Sequence, residues 1–326
     1  MRTSVTVIIA GLLMAGSGLA TGETWAQSYP ERPIRTIVPF PPGGLADSVA
    51  RIVGQRLGES LGQSLVIENR TGASGTLGAA MVAKSSPDGY TLLMTTGDFI
   101  TVPSIMPTLS FDPYKELTPI TMLAIAPLVL VANSGAGMNT VKDIIDAAKA
   151  RPGAVAYSSP GIGTINHLAI EGMAIEGGVK LLHVPYRGGA PAATAVAAGD
   201  VQIGGVTQSS AEGLIQAGKV KVVALMTRQR PSFAPNWPTL ADLGMDVDGA
   251  LWVGLFAPAG TSAAIVNRLD AETSRILHMA DVQRQLNAVG TDAFPVSQQD
   301  FVQRIKADAA RYAIIIQKTG LRPAQQ

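Results

Sequence analysis

The sequence reads Pro39-Phe40-Pro41-Pro42-Gly43-Gly44-Leu45-Ala46-Asp47 between an apolar run, Ile34 to Val38, and an amphipathic run that extends to Leu61. This pattern predicts a strand, a Pro-Gly loop and the start of a helix. The first turn of a helix presents free backbone N–H groups and the positive end of the helix dipole. Glycine in the loop lets the backbone approach a ligand closely. The stretch therefore predicts an anion-binding loop at the carboxyl end of a strand.

Composition limits the class of protein. The chain has 326 residues, with Lys+Arg 25 against Asp+Glu 24. It is long enough for two α/β domains, and its charge is too balanced to favour a nucleic-acid partner. The chain contains no cysteine, which excludes disulfides, thiol catalysis and cysteine metal sites.

The N-terminal segment has the pattern of a secretory signal peptide. Arg2 precedes an apolar run from Val5 to Leu19, and Thr24-Trp25-Ala26 offers small residues at the two positions that a signal peptidase reads. A membrane anchor is the alternative, but the run is shorter than the roughly 20 residues that a span needs and contains glycines. We expect a signal peptide over residues 1–26 and a periplasmic protein.

The order strand, loop, helix recurs along the chain, with glycine and hydroxyl residues where each strand ends. This order is typical of an α/β fold with doubly wound, mostly parallel sheets, in which ligands bind beyond the carboxyl ends of the strands. The apolar segment Ile120 to Val131 is long enough to cross from one lobe to another, and Leu251 to Ala257 returns. We expect a first lobe of residues 29–130 plus 252–326 and an inserted second lobe of residues 131–251.

Other kinds of site find little support. Gly161-Ile162-Gly163 lacks the third glycine and the acidic residue of a dinucleotide fingerprint. No nucleophile and base can be assembled from the motifs at the strand ends, so we predict no enzyme. The three histidines lack metal-ligand spacing, so we predict no metal and no cofactor.

Three residues near the predicted loops allow two interpretations each. His167 lies one helical turn beyond Gly163, where it faces the cleft and meets an anion or is a partly buried helix histidine. Asp47 either conflicts with the predicted anion site as a like charge or, in the first turn of its helix, accepts N–H groups and supports the loop. Tyr186 either closes over a ligand or is an edge residue half in the core.

Several motifs together resemble one family. The first is Val-Pro-Phe-Pro-Pro-Gly-Gly, which ends at Gly44. The others are Val66 to Gly75, Ser86 to Leu92, Ser159 to Thr164 with His167, His183 to Gly188, and Phe256 to Thr261. In this order they resemble the Bug family, the TctC-like periplasmic solute-binding proteins of tripartite tricarboxylate transporters, over essentially the whole mature chain.

The resemblance implies a two-lobed, type II periplasmic-binding-protein fold that closes around a carboxylated solute. It implies one wall formed by Phe40, Pro41, Gly43, Gly44 and Asp47. It implies a second wall formed by Ser159, Gly161, Gly163, Thr164 and His167. The loops that shape the distal end are Thr95, Thr96 and Gly97 in the first lobe and Tyr186, Gly188 and Ala190 in the second.

One position departs from the family pattern. Many members have an acidic Phe-Asp-Asn where this chain has Gly205-Val206-Thr207. Without that carboxylate a ligand ammonium has no obvious partner, and burying an unpaired ammonium is costly. We expect simple α-amino acids to bind poorly and an aromatic, di- or tricarboxylate to be preferred.

The predicted function is capture of a small organic carboxylate by a monomer and its delivery to the membrane permease of a tripartite tricarboxylate transporter. A periplasmic sensor partner of a membrane receptor kinase is the alternative, because it would use the same fold and the same site.

Overall fold

A computed structural model describes residues 29–72, 75–105, 109–228, 230–231, 234 and 236–321. The predicted signal peptide, residues 1–26, lies outside the described residues. Within them no helix combines the length and the apolar character needed to cross a membrane.

The described chain alternates strands and helices. The strands are β1 Ile34–Val38, β2 Leu65–Asn69, β3 Thr91–Thr96, β4 Leu117–Ala126, β5 Leu128–Asn133, β6 Ala156–Ser159, β7 Leu182–Pro185, β8 Ile203–Thr207, β9 Val220–Leu225, β10 Leu251–Pro258 and β11 Asp292–Ala293. The helices are α1 Leu45–Leu61, α2 Thr76–Ala83, α3 Val102–Ile105, α4 Val141–Ala150, α5 Ile165–Gly177, α6 Gly189–Ala198, α7 Gln208–Gln216, α8 Ala263–Leu277, α9 Ala280–Ala288 and α10 Gln298–Thr319. Short 3-10 turns lie at Gly97–Ile100 and Ala241–Leu243.

The strands form two sheets, one in each lobe. The first lobe is built on a six-stranded sheet of order β11-β4-β10-β3-β1-β2, and the second lobe is built on a five-stranded sheet of order β7-β6-β8-β5-β9. Only Pro127 separates β4 of the first sheet from β5 of the second, and β10 returns the chain to the first sheet. The two-lobed α/β fold predicted from the sequence is confirmed.

Each sheet is mixed. β1 pairs in parallel with β2 and β3, and β6 pairs in parallel with β7 and β8. The strands that continue across the hinge, β4, β5 and β10, pair antiparallel with their neighbours. The parallel pairing that we predicted therefore holds for the β-α-β units, in which a helix returns the chain to the same end of the sheet. The strands at the crossings are connected without such a helix, and they pair antiparallel with their neighbours.

Helices cover both faces of each sheet. α1 places Val49, Val53 and Leu57 in the first core, and it ends where Gly62 adopts a left-handed φ of 71°. α5 is buried in the core of the second lobe through Leu168 and other residues. The Gly97–Ile100 turn that follows β3 contacts the start of α5, which follows β6, so the carboxyl ends of these two strands lie near the junction of the lobes.

Candidate functional site

The candidate site lies where strands of both lobes end and helices begin. In the first lobe β1 leads into α1, and in the second lobe β6, β7 and β8 lead into α5, α6 and α7. Leu45, the first residue of α1, packs against the core cluster that contains Ile165, the first residue of α5. The two walls predicted from the sequence therefore face one another.

Asp47 holds the first wall in shape. One of its carboxylate oxygens accepts the N–H of Gly43 at 2.9 Å, and its other oxygen accepts the side-chain amide of Asn69 at 2.9 Å. Arg51 donates to both oxygens, and the Asn69 amide also donates to the carbonyl of Phe40 at 2.9 Å. Asp47 therefore supports the Pro-Gly loop from within, as the second of its two interpretations held.

These contacts keep the Asp47 carboxylate ionised. Burial would raise its pKa, but the hydrogen bonds from Arg51, Gly43 and Asn69 together bring the pKa below its usual value. The positive φ of Gly43, 77°, turns the loop immediately before the helix. Gly44 caps α1 without a side-chain hydrogen bond, so the first N–H groups of α1 are free of a side-chain cap.

The end of β3 contributes closely packed residues to the first wall. Thr95, Thr96 and Gly97 are all buried. A Cβ atom at Gly97 would lie 2.8 Å from the Trp252 ring and 3.0 Å from the Cδ1 atom of Ile165. Gly97 therefore permits the close approach of α5 to the first lobe.

The second wall is a loop that is hydrogen-bonded to itself. The Thr164 hydroxyl donates to the carbonyl of Gly161 at 2.9 Å and accepts the N–H of His167 at 3.3 Å, so it caps α5. The Gly163 N–H donates to Nδ1 of His167 at 3.0 Å. The Ser159 hydroxyl lies 3.0 Å from the carbonyl of Gly161. Together these bonds fix the curvature of the loop.

Three rings are stacked beneath this loop. The centroids of His167 and His183 are 3.8 Å apart, and those of His183 and Tyr157 are 4.9 Å apart. Burial lowers the pKa of His167 to about 3, with a further contribution from His183, and burial lowers the pKa of His183 to about 4. Both rings are therefore neutral near pH 7. His167 is 1% exposed, which favours the buried-histidine interpretation over contact with an anion.

Tyr157 and Glu171 complete the base of the stack. The Tyr157 hydroxyl donates to a carboxylate oxygen of Glu171. Burial raises the pKa of Tyr157 and, despite this hydrogen bond, the pKa of Glu171 as well. Together with the two low histidine pKa values, these shifts disfavour charge throughout the cluster.

The structure brings Ser159 and His183 together, which the sequence did not predict. The Ser159 hydroxyl lies 2.7 Å from Nε2 of His183, a spacing that a nucleophile and its base also have. Ser159 is 0% exposed, however, and the pKa of His183 is too low for a general base near pH 7. The hydrogen bond between Ser159 and His183 therefore stabilises the loop that follows β6.

The remaining predicted residues lie at the starts of α6 and α7. Tyr186 and Gly188 donate their N–H groups to the carbonyls of Ser159 and Pro160, at 2.9 and 3.1 Å, so the two loops of the second wall are joined. Gly188 has a φ of 117° and caps α6 without a side-chain hydrogen bond. The Thr207 hydroxyl is 2.8 Å from that of Ser210 and 3.2 Å from that of Ser209.

Solvent exposure divides the predicted site residues into two groups. At least partly exposed are Phe40, Pro41, Gly43, Gly44, Gly161, Thr164, Tyr186, Gly188 and Ala190. Buried, and placed to support the walls, are Asp47, Thr95, Thr96, Gly97, Ser159, Gly163, His167 and Thr207.

The sequence analysis did not select Asp98, Thr101 or Asn69. Asp98 and Thr101 follow β3 and form hydrogen bonds with the second wall, and Asn69 supports the first. The only signal for Asp98 was its place in a polar loop after a strand, because its partner lies 67 residues further along the chain.

The arrangement suits an anion. α1 and α6 begin without side-chain caps, and both start at glycine-containing loops, so their first N–H groups can bind a carboxylate. Within the described ranges, no group of three or more His, Cys, Asp or Glu side chains is placed to hold a metal ion.

Comparison with known proteins gives a consistent result. The family described as "Tripartite tricarboxylate transporter family receptor", TctC, matches residues 49–321. The chain is 31% identical to Protein BugT of Bordetella pertussis over 329 residues, which is 98% of this chain and 99% of BugT.

Comparison with solved structures also finds similar proteins over most of this chain. An R. palustris protein with adipate is 32% identical, with a TM-score of 0.82, over 91% of this chain and 100% of that one. MatC from Rhodopseudomonas palustris with bound malate is 28% identical, with a TM-score of 0.77, over 88% of this chain and 100% of MatC.

Proposed function

The chain belongs to the TctC family of tripartite tricarboxylate transporter receptors, and on that premise we propose that it captures a small organic carboxylate between its two lobes and delivers it to a membrane permease. Members of this family are periplasmic solute-binding proteins and not enzymes. We propose that the signal peptide is cleaved after Ala26 and that the mature chain acts in the periplasm as a monomer. We also propose that the lobes divide near the boundaries expected from the sequence, with the first crossing at Pro127, because β5 from Leu128 belongs to the second sheet.

One observation carries the proposal. α1 and α6 both begin at loops that lack a side-chain cap, on opposite walls of one gap. A carboxylate that accepts hydrogen bonds from the first N–H groups of both helices also lies at the positive ends of two helix dipoles. A ligand that contacts both lobes binds the closed arrangement better than the open one, and this difference drives closure.

The proposed chemical class of the ligand rests on the uncharged residue at position 207 and on the ligands of two similar proteins. Thr207 contributes a hydroxyl that is grouped with Ser209 and Ser210 and carries no charge, so we propose that α-amino acids bind poorly. Adipate and malate, which two similar proteins hold, are both dicarboxylates. We propose a di- or tricarboxylate or an aromatic carboxylate for this chain.

A thermal-shift screen tests the function. The chain from Gln27 is unfolded and refolded to remove carried ligand, and is then melted with malate, adipate, citrate, benzoate, aspartate and glutamate. A ligand at a hundred times its dissociation constant stabilises the folded state by about 2.7 kcal/mol, which raises the melting temperature by several degrees.

Neutral adipamide and malamide serve as matched controls, because they keep the size of the ligand and remove its charge. We expect a rise with one class of carboxylate and none with its amide. A cooperative melt that no carboxylate changes would overturn the proposal, and a rise with aspartate or glutamate alone would overturn the ligand class.

A further inference from the structure

The segment after β3 contacts the start of α5 across the gap between the lobes. One carboxylate oxygen of Asp98 accepts the N–H of Ile165 at 3.0 Å, and its other oxygen accepts the Thr96 hydroxyl at 3.0 Å. Asp98 follows the six-stranded sheet, whereas Ile165 begins a helix that packs on the five-stranded sheet. The hydrogen bond therefore joins the lobes.

A second hydrogen bond joins the same two segments. The Thr101 hydroxyl donates to the carbonyl of Gly163 at 2.8 Å and lies 2.7 Å from the carbonyl of Asp98. The packing around it is close. A Cβ atom at Gly163, whose φ is 75°, would lie 2.1 Å from the Cδ1 atom of Ile105. The 97–105 segment and the start of α5 thus meet over several residues.

Asp98 is unusual as an interlobe contact because it is a buried carboxylate. It is 8% exposed, and no basic side chain in the described ranges contributes to its electrostatic surroundings. Burial raises its pKa, and the hydrogen bonds from Ile165 and Thr96 only partly offset this effect. What favours the charge here is the positive end of α5, to which the Ile165 N–H belongs.

We propose that Asp98 is a positioning residue that clamps the second ligand wall to the first lobe by capping α5 from across the gap. The clamp consists of protein groups alone and needs no ligand atom to form, so it holds the walls of part of the free protein at the separation that a ligand requires. The apparent dissociation constant equals the intrinsic one divided by the fraction of protein in the competent arrangement. Asp98 therefore increases affinity without touching the ligand.

A helix cap that matters only for stability is the competing explanation, and Asp143 provides the matched control. Asp143 accepts the N–H groups of Asn139 and Thr140 at 2.9 and 2.8 Å in the capping box of α4. It is a capping carboxylate like Asp98, but all of these partners belong to the second lobe. Asp143→Ala thus removes a cap without removing an interlobe contact.

The distance between the lobes is measured by spin-label spectroscopy on the unliganded protein. The chain has no cysteine, so Gln55→Cys and Lys149→Cys, both at exposed positions on α1 and α4, place one label on each lobe. We expect Asp98→Ala to shift the distance distribution toward longer values and Asp143→Ala to leave it unchanged. Thr101→Val, which removes only the second bond, shifts it less in the same direction.

Circular dichroism confirms that each variant is folded before its distances are compared. Asp98→Leu, which keeps the approximate size and has no acceptor oxygen, replaces the alanine variant if that variant does not fold. A folded Asp98 variant with the distance distribution of the unsubstituted protein would overturn the proposal.

The expected effect of Asp98 on ligand affinity rests on the proposed function. For the carboxylate found in the thermal-shift screen, Asp98→Ala is expected to weaken binding about tenfold, because a hydrogen bond to a charged group is lost from the competent arrangement alone. Unchanged affinity together with unchanged distances would reject the clamp. If no carboxylate binds the unsubstituted protein, the proposed function fails while the distance measurement still decides the role of Asp98.

Discussion

Below about pH 6.5 the rings of His167 and His183 are protonated in the unfolded chain, but the folded protein disfavours the protonated form of both. Burial is the main cause for each ring, and it outweighs the Glu171 carboxylate oxygen that lies 3.9 Å from Nε2 of His167. The sequence could not predict this pair, because the rings are 16 residues apart on a strand and a helix. Only the folding of β7 beside β6 places them in contact.

The stack predicts a loss of stability in acid. An unfolded histidine binds a proton below about pH 6.5, whereas the folded rings have pKa values of about 3 and about 4. The unfolded state thus binds more protons, and stability is lost as the pH falls from about 6.5 toward 4. At pH 5 each ring lowers the free energy of unfolding by up to about 2 kcal/mol relative to neutral pH. Urea unfolding at pH 7.5 and pH 5 measures this loss.

A double variant isolates the contribution of the stack. In His167→Asn with His183→Gln, the amide oxygens can accept hydrogen bonds near the original nitrogen positions but do not titrate. We expect this variant to lose less stability than the original protein between pH 7.5 and pH 5. His278→Gln, at an exposed position on the C-terminal side of α8, should follow the original protein. Equal losses in all three proteins would show that the stack does not control the acid sensitivity.

At the scale of elements, the periodicity of apolar residues predicted the long helices well. The helix predicted to extend to Leu61 is α1, Leu45–Leu61, and the strand predicted over Ile34 to Val38 is β1. The sequence did not predict the 3-10 turn at Gly97–Ile100 or helix α3. These are too short to show a period, and contacts with α5 and Trp252 fix their conformation.

The start of α5 shows why a local motif can have two roles. Thr164 was predicted in the ligand wall, and the structure uses its hydroxyl to cap the helix and to hold the Gly161 carbonyl. We predict that Thr164→Val lowers the stability by about 1 kcal/mol through loss of the cap. It should also weaken carboxylate binding about tenfold, because the loop is no longer fixed. Denaturant unfolding and calorimetric titration measure the two effects.

Thr140 is the matched control for this prediction. It caps α4 by accepting the N–H of Asp143 at 3.1 Å, and α4 does not border the gap. Thr140→Val should lose a similar amount of stability and keep its affinity. If the two valine variants bind the carboxylate equally well, Thr164 has no role in the site beyond capping.

At the scale of the whole molecule, the C-terminal helix joins the two lobes. Near its start Phe301 packs in a core of the first lobe, and further along Tyr312 and Ile316 pack with α5 of the second. The sequence analysis did not predict this contact with both lobes. Each partner is remote in sequence, and its contact depends on how the two crossings of the chain orient the lobes.

Buried charges fix this helix to the strand that returns the chain to the first lobe. Asp308 is fully buried and accepts the Trp252 indole N–H at 3.0 Å and the Arg304 guanidinium at 2.7 Å. Arg304 and Arg311 also pair with Asp248, which lies just before β10. A buried ion pair need not stabilise a fold relative to an apolar replacement, but removal of one partner leaves the other charge without compensation.

We therefore predict that Asp308→Asn lowers the free energy of unfolding by roughly 2–4 kcal/mol. This loss is somewhat smaller than that expected on breaking a fully buried ion pair, because Arg304 keeps some contact with water. Asp146→Asn breaks the Lys142 pair on the exposed face of α4 and should cost less than about 0.5 kcal/mol. Urea unfolding of both variants at neutral pH measures the difference. Because the Asp308 network lies at the second crossing, its loss should also separate the unfolding of the lobes. In a Trp237→Phe background, fluorescence of Trp252 and far-ultraviolet circular dichroism should then no longer give coincident transitions. A small stability loss with coincident transitions in Asp308→Asn would show that apolar packing of α10 alone holds the lobes together.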